Sequence, residues 1–321
     1  IGIITVANAY AQLAVEGYIT SKEKLGYFVE DVSNYRLRRR SAAPALPEPR
    51  EQEYLADFKA NRISLKNFPL ATWSRLMRET LSLQNDELLK TVPYNGVYEL
   101  RKAIADYLAH NRAMQVDPAQ IIIGAGTQSL YNLIVQLLGR EAVYGVEDPG
   151  YSKAARIYAL GGARTAPVLV DEGGVSLRSL EMSGAQILHT SPNHQFPTGA
   201  VTPIGRRQSL LRWAEAQEGR CIIEDDYDSE FRFTGRPIPT LKSIDRAGRV
   251  LYVNTFSRTL APSLRISYLV LPEGLLARYR ERLGFYSCTV PVFEQYVLAE
   301  LIGSGDFERH INRIRRRRRR Q

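Results

Sequence analysis

From about residue 61 onward, short β-branched runs alternate with stretches of helical periodicity, and this alternation constrains the fold more than any other feature. Residues 120–124, 142–146, 166–170, 185–189, 221–224, 250–253 and 266–271 read as strands. Leu100, Ile104, Tyr107 and Leu108 form one helical stripe, and a helix is expected from about 127 to 138. Strands that alternate with helices predict an α/β domain with a mainly parallel central sheet. The last segment, 292–321, reads as long helix broken near Gly303-Ser304-Gly305.

The beginning of the chain has a different grain. Val6, Ala9, Tyr10 and Leu13 recur at helical spacing, so residues 5–16 are expected to form an amphipathic helix ended by Gly17. Tyr18-Ile19, a polar stretch over 20–24, and Gly26-Tyr27-Phe28-Val29 then predict a short hairpin with a charged tip. One helix and one hairpin are too little to fold alone, so this segment is expected to be the second half of a small domain. Residues 31–60 read as a linker. They carry Arg36, Arg38, Arg39 and Arg40, and then Pro44, Pro47 and Pro49, which favour an extended spacer. The expected organisation is therefore 1–30 small domain, 31–60 linker, 61–290 large domain and 291–321 long helix.

Composition excludes several classes. The 321 residues suit about two domains and can bury a large core. Hydrophobic residues at 44% and charged residues at 24% rule out a collagen-like or wholly disordered chain. Cys221 and Cys288 form no CxxC pair, which argues against a disulfide framework and a thiolate zinc site, and for a reducing cytosol. No apolar run suits a bilayer and no secretory signal is expected, so the chain reads as cytoplasmic. The net charge is 43 − 34 = +9, of which 306–321 carries +6 through eight arginines against Asp306 and Glu308. Basic clusters can touch phosphate backbones. A solvated helix end is the plainer reading of this one.

Four segments lie at or beyond the ends of expected strands, where open α/β sheets place their ligands. Gly124-Ala125-Gly126-Thr127-Gln128 could cradle a phosphate on helix amides, or could be a glycine turn serving geometry alone. Glu147-Asp148-Pro149-Gly150-Tyr151 delivers an aromatic ring that could stack on a flat ligand or lie in the core. In Ile222-Ile223-Glu224-Asp225-Asp226-Tyr227-Asp228, four carboxylates crowd a strand end. One buried aspartate facing a protonated ring nitrogen, with the others solvated, explains the run better than a metal, because His189 and His194 form no ligand pattern. Thr255-Phe256-Ser257-Arg258-Thr259 through Arg265 could surround an anion, or could be a polar loop with solvated arginines.

Together and in this order, with Ser191-Pro192-Asn193-His194-Gln195-Phe196-Pro197-Thr198-Gly199, these segments resemble the fold-type I aminotransferases that use pyridoxal phosphate. Residues 1–29 resemble the recognition helix and wing of a GntR-type winged helix-turn-helix. The combination resembles the MocR family of transcriptional regulators. The resemblance implies that Gly126, Thr127 and Gln128 hold the cofactor phosphate with Thr255, Ser257 and Arg265. It implies that Tyr151 stacks on the pyridine and that Tyr227 hydrogen-bonds its phenolic oxygen. Asp225 would pair with the pyridine nitrogen and keep it protonated. Asp226 is the alternative, since neighbours on a strand face opposite ways. Thr5, Asn8 and Gln12 would face the major groove, and Lys22 and Lys24 would touch DNA phosphate.

Three departures from the family pattern stand out. Arg258 occupies the place of the Schiff-base lysine, and a guanidinium is no amine nucleophile, so no catalytic residue is expected; pyridoxal 5′-phosphate would bind weakly and non-covalently, with Arg258 pairing to its phosphate or phenolate oxygen, or would not bind at all. Lys153 and Lys242 show no sign of replacing it. Phe196 stands where many catalytic members have asparagine. The first winged-helix helices and the C-terminal small domain of the pattern are both missing, so the chain reads as truncated at both ends. The resemblance therefore implies a DNA-binding, homodimeric regulator that senses a B6 vitamer or small amino compound without transamination. A pyridoxal-phosphate aminotransferase of the kynurenine or aminoadipate type is the alternative, and a non-functional relic is a third reading.

Overall fold

The computed structural model describes residues 2–31, 67–83, 86–228, 230 and 238–318. The chain divides into two compact units, Ile1–Lys59 and Ala60–Gln321. Most of the expected linker, including its arginine cluster, lies outside the described residues.

In the first unit, helix α1 (Ile3–Val15) is followed by an antiparallel hairpin of β1 (Ile19–Lys22) and β2 (Gly26–Val29). Gly17, at φ +80°, turns the chain between helix and hairpin. Lys24, also at positive φ, sits in the hairpin loop. The Tyr10 and Tyr27 rings meet at 4.7 Å and tie the helix to the hairpin. Thr5, Asn8 and Gln12 share one exposed helix face, since residues three and four apart lie above one another. Lys22 and Lys24 are exposed on the hairpin, and the Lys22 ammonium lies 4.8 Å from the Phe28 ring.

The second unit is built on one sheet. Its strands are β3 (Ile121–Ala125), β4 (Val143–Asp148), β5 (Arg164–Asp171), β6 (Gly174–Val175), β7 (Ile187–Thr190), β8 (Cys221–Asp225), β9 (Val250–Thr255) and β10 (Ile266–Val270). The spatial order is β3-β10-β9-β8-β7-β4-β5-β6. The pairs β5–β4, β4–β7, β7–β8 and β8–β9 are parallel. β10 runs antiparallel to both β9 and β3, and β6 antiparallel to β5. The expected mainly parallel sheet is therefore observed, with two reversed strands.

Helices cover both faces, and strand alternation sorts the side chains between them. On one face Ile121, Ile123, Tyr252, Ile266, Tyr268 and Val270 pack with α2 (Leu70–Leu83), α3 (Tyr98–Arg112), α10 (Val292–Gly303) and α11 (Asp306–Arg318). On the other, Ile122, Ile223, Leu251, Val253 and Leu269 pack with α4 (Thr127–Leu138), α5 (Ser152–Leu160) and α9 (Leu276–Leu283). A third cluster joins Val168, Leu188 and Ile222 to α6 (Leu177–Met182), α7 (Ile204–Glu215) and α8 (Leu241–Ile244).

The break between α10 and α11 falls at Gly303-Ser304-Gly305, as the sequence suggests. Both helices pack on the large domain over their described length. Tyr296, Leu298, Leu301, Phe307 and Ile311 lie in the same core as α3 and β10, because α11 presents apolar residues at three- and four-residue spacing. Nor are all the arginines simply solvated. Arg315 Nε donates to the Glu230 carbonyl at 2.6 Å, and Arg317 Nη1 to Asn67 Oδ1 at 3.0 Å.

Candidate functional site

The carboxyl ends of β3, β4, β7, β8 and β9 converge on one edge of the sheet, and the acidic run leaves β8 there. Glu224, Asp225 and Asp226 are all buried. The expectation that only one acid is buried is therefore corrected, and each of the others has its own structural partner. Glu224 accepts the backbone N–H groups of Leu241 and Lys242 at 2.9 and 2.8 Å, which caps α8. Its carboxyl is pushed up to about 7, first by burial and then by Asp226. Asp226 accepts from Asn193 Nδ2 at 2.7 Å and from the Tyr252 hydroxyl at 2.6 Å, so both its oxygens are engaged. Asp228 pairs with His194.

Asp225 differs. It shares the face of Ile223 by strand alternation and points among the tyrosines of α4 and α5. Its Oδ2 accepts the Tyr131 hydroxyl, and His189 Nε2 lies 3.5 Å from the same oxygen. The Tyr158 hydroxyl contacts His189 Nδ1 at 2.6 Å. A ring nitrogen facing a carboxylate carries the proton, so Nε2 is protonated and Nδ1 accepts from Tyr158. Asp225 Oδ1 is buried with no hydrogen-bond partner among the described residues. Such an oxygen can accept a donor from outside the chain.

Beside Asp225 lies the turn from β3 into α4. Gly126 adopts φ 83°, ψ 163°, a conformation essentially reserved for glycine. A Cβ there would come within 2.5 Å of Arg265 Nη2, so the missing side chain lets the guanidinium close over the turn. Arg265 itself sits at φ +53°, and its Nη2 reaches the Ala125 carbonyl at 3.4 Å. Thr127 opens α4, one turn before Tyr131. The Tyr151 hydroxyl is raised above its ordinary value by burial and by Asp225, with Gln128, Arg265 and Arg258 opposing. Tyr151 thus lies within electrostatic reach of Asp225, Arg265 and Arg258.

The β9–β10 loop closes the site. Thr255 is buried and engaged locally: its Oγ1 accepts the Ser257 N–H at 3.1 Å and lies 3.4 Å from the Ile266 carbonyl. Arg258 stands over the Tyr227 ring, 5.6 Å from its centroid. With His194, Phe196, Asp228 and neighbouring loop residues, these two line a cavity of about 370 Å³. The Tyr227 hydroxyl donates to the His194 carbonyl at 3.0 Å. Lys242 is far from this edge, since its Nζ bonds the carbonyl of Val250, the first residue of β9.

Several groups around the site carry no motif of their own. Tyr131 and Tyr158 look like core tyrosines at helical spacing, and only the fold sets them behind Asp225. Glu147 Oε1 accepts Thr190 Oγ1 at 2.6 Å and the Ser191 N–H at 3.0 Å, while its Oε2 accepts Gln195 Nε2 at 3.1 Å, so it fastens the loop after β7. His310 of α11 bonds the Thr259 carbonyl at 2.8 Å and so anchors the segment that bears Arg258. Among the described residues no cluster of His, Cys, Asp or Glu suits a metal ion, and no helix is long and apolar enough to cross a membrane. The groups present suit a phosphorylated, cationic heterocycle: a lone buried carboxylate oxygen, an aromatic ring, and a guanidinium over a glycine at a helix N-terminus.

The family model Aminotransferase class I and II matches residues 56–321. The chain is 39% identical over 314 residues to the uncharacterized HTH-type transcriptional regulator YdeL of Bacillus subtilis (strain 168), covering 97% of this chain and 68% of that protein. It is 32% identical over 329 residues to the probable rhizopine catabolism regulatory protein MocR of Rhizobium meliloti, covering 97% and 66%. The crystal structure of Pyrococcus horikoshii kynurenine aminotransferase superposes with a TM-score of 0.69 at 28% identity, covering 78% of this chain and 64% of that one. The chain thus spans about two thirds of the length of these proteins. It belongs to the aminotransferase class I and II family, with a fold-type I domain, among the HTH-type transcriptional regulators of the MocR type.

Proposed function

We propose that this chain is part of a DNA-binding transcriptional regulator whose aminotransferase-like domain binds pyridoxal 5′-phosphate, or a related B6 vitamer or amino compound, without covalent attachment and without transamination. The observation that carries the ligand reading is Asp225 Oδ1, buried and without a partner. Tyr131 and His189 occupy Oδ2 and leave Oδ1 to accept a pyridinium N–H. Arg265, Thr127 and the first amides of α4 would hold the phosphate, with Ser257 and Gln128 at its margin and Tyr151 against the ring. Thr255 supports this set by fixing the Ser257 backbone. Tyr227 would reach the phenolic oxygen by turning its hydroxyl from the His194 carbonyl. When bound, the cofactor supplies an electron-withdrawing ring, and Asp225 keeps its nitrogen protonated.

Arg258 supports the absence of transamination. The lone pairs of a guanidinium are delocalised, so it does not attack a carbonyl as an amine does. In the first unit, Thr5, Asn8 and Gln12 would read the major groove, with Lys22 and Lys24 on phosphate, as in a winged helix-turn-helix. The protein would act in the cytoplasm as a homodimer. The likeness to kynurenine aminotransferase favours a second reading, a catalytic aminotransferase, and Arg258 argues against it.

Binding is tested by equilibrium dialysis with pyridoxal 5′-phosphate. Asp225→Ala is expected to weaken it at least about tenfold, since a hydrogen bond to a charged group contributes about 1.5–3 kcal/mol. Unchanged affinity would refute the assignment. Turnover of an amino acid with a 2-oxo acid would establish the second reading instead.

A further inference from the structure

The cations bordering this site are guanidiniums. Arg265 closes over Gly126, and Arg258 stands over Tyr227 in the adjoining cavity. None of the residues lining that cavity is a lysine. Lys242 is bonded to Val250 at the far end of β9, Lys90 pairs with Glu87, Lys102 pairs with Asp106, and Lys153 is exposed on α5. The described residues of this site therefore offer hydrogen-bond donors and positive charge, and no primary amine.

This has a consequence for which ligand is recognised. In a pyridine the 4-position lies opposite the nitrogen. A ring whose nitrogen met Asp225 and whose phosphate met Arg265 would carry its 4-substituent on the side away from Asp225, and Tyr227, within electrostatic reach of Asp225, has Arg258 over its ring. An aldehyde there gains over an alcohol only by condensing with a primary amine, which forms a carbon–nitrogen double bond and releases water. A guanidinium does not do this. It donates hydrogen bonds equally well to a carbonyl or a hydroxyl oxygen. It also repels an ammonium group placed beside it.

We infer that Arg258 sets the specificity of this site, making it a receptor for 5′-phosphorylated pyridines that does not distinguish alcohol from aldehyde at the 4′ carbon and disfavours the protonated amine. The inference rests on the phosphopyridine reading above.

The test is isothermal titration of the full chain with pyridoxine, pyridoxal and pyridoxamine 5′-phosphates, alongside the Arg258→Lys variant. The wild type is expected to bind the alcohol and aldehyde with Kd values within about threefold, and the amine about tenfold more weakly. Arg258→Lys is expected to tighten the aldehyde alone, by about tenfold or more, with a borohydride-fixed mass increase. A wild type that prefers the aldehyde to the alcohol by about tenfold, or that binds the amine tightest, overturns the inference and leaves the phosphopyridine reading standing. A folded lysine variant with unchanged selectivity also overturns it. If none of the three binds, the phosphopyridine reading fails and this inference with it. Should the variant not fold, the wild-type ratios alone decide.

Discussion

At Gly126 and Gly139 the backbone takes nearly the same conformation, φ 83° and 105° with ψ 163° at both. Their surroundings differ. A Cβ at Gly126 meets the Arg265 guanidinium at 2.5 Å, while one at Gly139 meets nothing within 4 Å. Alanine at either position is therefore expected to cost about 1–3 kcal/mol in urea unfolding, from backbone strain. Only Gly126→Ala should also weaken pyridoxal 5′-phosphate binding in dialysis, because only there must the arginine move. Equal affinities in the two variants would separate Arg265 from the phosphate. At this scale the sequence announces the residue types and not their tasks. The acidic run on β8 is visible as a motif, yet Glu224 caps a helix, Asp226 binds a tyrosine and an asparagine, and Asp225 keeps a buried oxygen open. That division depends on which helices cover each face of the sheet, and no local pattern encodes it.

The segment carrying Arg258 is held from a distant helix. His310 is buried on α11, bonds the Thr259 carbonyl and meets Arg313 Nη2 through Nδ1 at 3.1 Å. Burial lowers its pKa, the hydrogen bond to Thr259 opposes this, and the adjacent Arg313 adds to the lowering. His310→Ala is expected to destabilise the protein by about 1–3 kcal/mol. It should also speed hydrogen exchange at the Thr259 and Leu260 amides more than at β9. Uniform acceleration would mean that α11 gives general support only. Seven of the eight strands of the large sheet are legible from β-branched runs, with bounds displaced by a residue or two. β6 is not, because two residues carry no periodicity. The reversed direction of β10 is equally hidden, since its buried alternation reads the same either way. The apolar spacing of α11 is legible, but not that it packs beneath the β9–β10 loop.

Over the second unit as a whole, buried charge couples the site's edge to pH. Glu224 is fully buried, and its carboxyl is pushed up to about 7. A carboxyl raised in the folded state contributes stability that is complete below its unfolded value near 4.5 and is lost as pH rises through about 7. Comparing urea unfolding of the wild type with Glu224→Gln isolates this group. The wild type should gain on the variant by up to about 3 kcal/mol between pH 7.5 and pH 4.5. A gap that narrows on acidification would contradict it. The α/β class and the convergence of strand ends are the most legible features at this scale, because alternating periodicities dictate a sheet covered by helices. Absorbance titration of the full chain with pyridoxal 5′-phosphate, followed by borohydride reduction and intact mass, distinguishes a ligand held at Asp225 from one bonded to the chain. Saturable binding that leaves the protein's mass unchanged is the result expected of an Asp225-anchored ligand beside Arg258; a phosphopyridoxyl mass fixed to the chain, or no saturation at all, would contradict it.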